Sequence, residues 1–295
     1  RCDGPPHSKL MPTAGALLAA STDSILEVAP FHTHFDVLGV LGALVILYEY
    51  GIRRLAASYA PRGEVVVTRK QRIAFYSGMV FLYLVSSWPI HDIGEGSLFM
   101  FHMVEHLVFG LIAPPLLLVG TPWWLIRFVV KPILPVLKIL TKPLVALALF
   151  NGMLGLIHAP AVLELMLRSE FAHFGLHAIL FLTGILMWWP VLGPIPDIPR
   201  LPPFLRMGYV FLQSLVPTIP ATFLTFGESP LYPIYETFPR LWGISALDDQ
   251  IMAGLIMKLG AGILLWGYIA WIWFSWWNEE QRYSNPTPRV STTES

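Results

Sequence analysis

Long apolar runs with almost no charge in them decide what this chain of 295 residues can become. Seven stand out: Phe35–Gly51, Ile73–Trp88, Ser97–Val119, Pro143–Ile157, Phe171–Pro190, Phe204–Phe226 and Leu247–Trp277. A helix needs about 20 apolar residues to cross a bilayer, and most of these runs sit near that length. Only 13% of the residues are charged, about half the share of a soluble domain. The expectation is an all-α, polytopic membrane helix bundle of about seven transmembrane helices.

The fourth run is short, and the stretch before it, Thr121–Thr141, is broken by Pro122, Pro132 and Pro135. Proline removes a helical hydrogen bond, so this stretch is expected to lie along the interface or dip partly inward. The seventh run is long enough to tilt or project beyond the bilayer. Its Trp271, Trp273, Trp276 and Trp277 read as an interfacial belt. These limits divide the chain into an N-terminal arm (1–34), a transmembrane domain (35–277) and a C-terminal tail (278–295). Met11 follows ten largely polar residues, so either the chain starts inside a longer reading frame or those ten are not native.

Lys and Arg resist translocation, so their distribution among the connections orients the bundle. The connections after the first, third and fifth runs, together with the tail, hold fourteen; the other side holds four, with Lys258 inside the seventh run. The N-terminus is expected outside and the C-terminus in the cytoplasm. Lys and Arg together equal Asp and Glu at nineteen each, which leaves no basic excess to bind nucleic acid. The lone cysteine, Cys2, can form neither an internal disulfide nor a thiolate cluster.

On that map all nine histidines fall on the outer side. His7, His32 and His34 belong to the arm or the mouth of the first run, and His91 to the next outer loop. His102 and His106 lie in the outer half of the third run, His158 ends the fourth, and His173 and His177 begin the fifth. The pairs His102/His106 and His173/His177 share a four-residue spacing, which puts both rings of a pair on one helical face. Imidazole in hydrocarbon needs a partner, water or a metal. Two facing pairs supply three or four nitrogen ligands, with His158 and the thioether of Met252 as further donors. Interhelical hydrogen bonding and a proton relay remain open as alternatives. Imidazole suits copper, zinc, iron and nickel alike, so the ligands do not choose the metal. Thioethers at Met103, Met166 and Met252 would favour copper(I).

Glu105 makes the third run read His102-Met-Val-Glu-His106, the His-x-x-Glu-His order of inverted zinc peptidases, without an evident third acidic ligand downstream. Glu105 stands one residue off the histidine face, as expected of a carboxylate that orients an imidazole from behind. Asp249 and Gln250, opening the seventh run, are candidates to reach the histidines across the outer vestibule. Axial ligation of a b-type haem by one imidazole from each of the third and fifth runs is the competing use.

Several stretches resemble one family. They are His102–His106 with Ala113-Pro-Pro-Leu-Leu-Leu-Val-Gly-Thr-Pro122, Trp188-Trp-Pro-Val-Leu-Gly-Pro194, Pro230-Leu-Tyr-Pro-Ile-Tyr235 and Asp249-Gln-Ile-Met252-Ala-Gly-Leu-Ile-Met257. Their order over residues 35–277 is similar to that of the CtaG-type cytochrome c oxidase assembly factors. The resemblance implies a non-enzymatic, multi-pass protein of the bacterial plasma membrane. Its implied partners are haem-copper oxidase subunits or other assembly factors, and its implied cargo is copper, with haem b or zinc as alternatives.

Overall fold

The computed structural model describes residues 25–284. Cys2, His7 and the rest of the arm before residue 25, and the tail past residue 284, lie outside the described residues. Within them all regular structure is helical, apart from one bridge between Ile195 and Ile198.

Nine helical segments of nine or more residues follow in order among the described residues. They are α1 (Phe35–Tyr59), α2 (Arg69–Gly96), α3 (Phe99–Gly120), α4 (Trp123–Leu140), α5 (Pro143–Ile157), α6 (Pro160–Arg168), α7 (Glu170–Leu192), α8 (Pro203–Phe226) and α9 (Ala246–Arg282). Six of these are long and apolar enough to cross a membrane, and the pair α4/α5, bent by 88°, makes a seventh if counted as one span. The chain is therefore a multi-pass helical membrane protein. The bend falls at Thr141–Lys142, past Pro122, Pro132 and Pro135, and α4 runs nearly perpendicular to α5; Pro132 marks only a short irregular turn, Lys131–Ile133, within α4. One expected helix is longer and less regular than its apolar run. α2 consists of Arg69–Val85 and, past a break at Ser86–Pro89, a short second piece, Ile90–Gly96.

Local signals set several helix starts. Thr68 and Gln71 form a reciprocal capping box at the start of α2, Ser169 Oγ accepts from Ala172 N at α7, and Ser245 Oγ accepts from Asp248 N at α9. The start of α3 has no local side-chain cap; a carboxylate from α9 supplies one, as described below.

The two helices that carry the paired histidines cross at small residues. A Cβ on Gly184 of α7 would stand 3.0 Å from the Gly110 carbonyl oxygen and 3.1 Å from Pro114 Cγ of α3, tighter than most Cβ contacts, so glycine favours the close approach of the backbones. Trp188 Nε1 donates to the same Gly110 carbonyl at 3.1 Å. That carbonyl belongs to a π-helical turn, Val108–Ile112, a feature found mostly as single turns and frequently at functional sites. His102, His106 and Gly110 recur every four residues, and Gly184 follows His177 by seven. Each glycine thus shares a face with its own histidines, and the contact that brings the backbones together aims the imidazoles at each other.

Candidate metal centre

Five connections deliver histidine to one end of the bundle. His34 precedes α1, His91 lies in the last piece of α2, His102 and His106 in the first two turns of α3, His158 just past α5, and His173 and His177 at the start of α7. The rings form a continuous cluster. Centroids are 4.4 Å apart for His102/His106, 4.3 Å for His173/His177, 5.2 Å for His102/His177 and 5.4 Å for His102/His173. His106 Nε2 and His177 Nε2 share a hydrogen bond at 3.1 Å, and His158 packs against His106 at 5.6 Å.

The largest donor group among the described residues is His102, Glu105, His173 and His177, all buried, each offering one ligand atom within 4.8 Å of the others'. Glu105 stands closer to the centre than its sequence position suggested. Its Oε1 accepts from His91 Nδ1 at 3.2 Å and its Oε2 lies 3.9 Å from His177 Nδ1. His106 sits behind His177 and is not one of the four. His158 is tied to α5 through Nδ1, 2.7 Å from the Leu154 carbonyl.

Whether this group suits a metal depends on its unused valence. Among the described residues, eleven buried side-chain nitrogen and oxygen atoms have no hydrogen-bond partner, and seven belong to this cluster. They are both nitrogens of His102 and of His173, His106 Nδ1, His158 Nε2 and Glu105 Oε2. His173 Nδ1 does touch Glu95 Oε1 at 2.5 Å, as a charge contact off the hydrogen-bonding axis. Each such group left unsatisfied costs about 1–3 kcal/mol. Gathering them at one point makes chemical sense if an ion takes the lone pairs. The donors, imidazole plus one carboxylate, fit a borderline transition metal.

A haem fits less well. Beside His106 and His158 lies a cavity of about 30 Å³, lined also by Met103, Met257 and Gln213. Pockets for ligands of drug size run to about 300–1,000 Å³, so this space suits an ion or a water, not a macrocycle.

The remaining expected residues turn out to be structural. Met252 is half exposed, whereas the thioethers beside the rings belong to Met103 and Met257. Asp249 reaches no imidazole. Its carboxylate accepts from the backbone N–H groups of Phe99 and Met100 at 2.8 and 2.9 Å and pairs with Arg240 at 3.0 Å. It therefore caps α3 from a distance and, through the helix dipole, holds the turn that carries His102. Gln250 accepts from Leu231 N at 2.5 Å and donates to the Leu224 carbonyl at 3.3 Å, pinning the loop after α8. Sequence reasoning had not joined His91 and Glu95 to the centre. Gly94 makes the join possible: a Cβ there would meet His102 N at 2.9 Å, so the end of α2 lies directly on α3.

Comparison with known proteins agrees with the sequence resemblance. A family model described as cytochrome c oxidase caa3 assembly factor (Caa3_CtaG) matches residues 46–279. An uncharacterized protein of Mycobacterium leprae is 24% identical over 78% of this chain and 37% of its own length. Uncharacterized proteins of Mycobacterium bovis and Mycobacterium tuberculosis are each 22% identical over 78% of the chain and 36% of their length. The chain thus spans little more than a third of these relatives. No solved structure matches it.

Proposed function

The chain belongs to the cytochrome c oxidase caa3 assembly factor family, and from that membership we propose that it holds copper for delivery to a haem-copper oxidase. The ion is cargo, bound by His102, His173, His177 and Glu105. His106 and His158 brace the ligands and Met103 and Met257 lie close by. The concentration of unpartnered, buried imidazole nitrogens at one point carries this reading. Among divalent first-row metals, copper(II) binds such donors most tightly, and an oxidase assembly factor has a use for it.

The chain's own residues do three things here. The Gly110/Gly184 crossing presets the two imidazole pairs. Asp249 and Arg240 fix the start of α3. The hydrogen bond between His91 and Glu105 holds the carboxylate ready, and loosening it would let Glu105 release its ligand position. A site that must pass its ion on is served by such an exchangeable carboxylate better than by a closed set of thiolates.

The skew of Lys and Arg, fourteen against four, supports a cluster facing the extracytoplasmic side of a bacterial plasma membrane. There it would meet oxidase subunits or other assembly factors. The reading is non-catalytic. Its test is the copper and iron content of the purified protein together with its visible spectrum, for the wild type and for the variant with His102, His106, His173 and His177 all replaced by alanine. The wild type is expected to carry copper without a Soret band, and the variant to lose it. Equal copper in the two would overturn the assignment.

A further inference from the structure

Two other metal-competent groups adjoin the buried one, and the three lie in a row from the surface inward. His32 Nδ1 and His34 Nε2 flank the Asp92 carboxylate at 3.2 and 3.1 Å. His91 and His173 flank Glu95, with His91 Nε2 at 3.4 Å and His173 Nδ1 at 2.5 Å from the same oxygen. Each trio keeps its ligand atoms within 4.8 Å of one another. The groups are also linked: His34 and His91 pack at 5.2 Å between ring centroids, and His91 and His173 at 5.3 Å. His173 belongs to both the middle and the inner group, and His91 touches Glu95 and Glu105 at once. Side-chain exposure is greatest in the outer group, 57% at His32, and least at His173, 5%; between them Glu95 is 35% and His91 18% exposed, while His34 and Asp92 are 13% and 10%.

We propose that His32, His34 and Asp92 form a second, solvent-facing metal site, from which an ion reaches the buried group through His91, Glu95 and His173. This rests on the buried group being a metal site. Neutral imidazole and carboxylate are the donors at every stage, so the ion moves by ligand exchange with no change of oxidation state. His173 can bind ahead through one ring nitrogen while Glu95 still holds from behind. Each donor binds through a lone pair it already has, so one metal–ligand bond forms as another breaks and no proton has to move. A buried centre needs such a route, because an ion crossing bare apolar surface would shed its water with nothing in exchange.

The test uses the full chain in detergent and the copper(II)–glycinate complex, whose visible absorption shifts as the protein takes the metal, followed by stopped flow. The wild type is expected to take up one equivalent quickly and a second more slowly. The H32A/H34A/D92N variant should lose the fast equivalent and fill the buried site more slowly than wild type. H32A alone, altering an exposed side chain, should weaken the fast phase without threatening the fold. The H102A/H177A variant should retain the fast equivalent and lose the slow one. If H32A/H34A/D92N matches wild type in both stoichiometry and rate, the outer site is overturned and metal arrives directly at Glu95. If the slow equivalent is missing from wild type too, the buried-site reading fails, while loss of the fast equivalent in H32A/H34A/D92N still upholds the outer site.

Discussion

Two clusters of buried polar groups sit in the same bundle and are treated oppositely. In one, Asn151 Nδ2 donates to Gln213 Oε1 at 2.6 Å, Gln213 Nε2 to Tyr209 Oη at 2.9 Å, and Tyr209 Oη to the Met187 carbonyl at 3.0 Å. That chain ties α5, α8 and α7 together and leaves one atom, Asn151 Oδ1, without a partner. In the other, the imidazoles around Glu105 leave seven atoms unpartnered among the described residues. The first cluster shows that this fold can satisfy polar groups in its interior. The open valence of the second is therefore a property of that place, and a polar network left open in a low-dielectric interior is expensive. One cluster serves the fold, while the other offers the lone pairs that the proposed ion would take.

Substitutions sharpen that contrast. The largest effect on stability is expected at the brace between them and the outer loops. Asp249→Ala removes the carboxylate that caps α3 at Phe99 and Met100, and each N–H left unsatisfied costs about 1–3 kcal/mol, read as a lowered unfolding midpoint in detergent. Next comes Gln213→Leu, which leaves the Asn151 amide and Tyr209 hydroxyl without a shared partner, at about 1–3 kcal/mol. Smallest is His102→Leu in metal-free protein. No hydrogen bond is lost there, so stability should hold or rise, because replacing an unsatisfied polar group by an apolar one is close to neutral. A loss at His102 as large as at Gln213 would break the comparison, since it would mean that the imidazole is already satisfied within the fold.

Sequence patterning made the two histidine pairs and the helical spans legible because both are local. Four-residue spacing fixes a helical face, and apolar run length fixes a span. Pro132 marked the irregular turn Lys131–Ile133 for the same reason, whereas the bend itself falls beyond the named prolines, at Thr141–Lys142. What escaped was non-local. Glu105 looked displaced from the histidine face, yet His91, arriving from α2 across Gly94, draws its carboxylate to the centre. Asp249 read as a candidate to reach the histidines, whereas it caps a helix about 150 residues away. Met252 and Met257 are indistinguishable as residue types in one helix, and only packing shows that the second lines the cavity beside His106 while the first is half exposed.

The central claim is that imidazoles from α3 and α7, with one carboxylate, share a single ion. X-ray absorption at the copper edge of the loaded protein tests it most directly. With the outer site removed by H32A/H34A/D92N, the account predicts a shell of light nitrogen and oxygen scatterers, with outer-shell features of about three imidazoles, that collapses when H102A/H177A is added. A shell dominated by sulfur, or one unchanged in that variant, would contradict it.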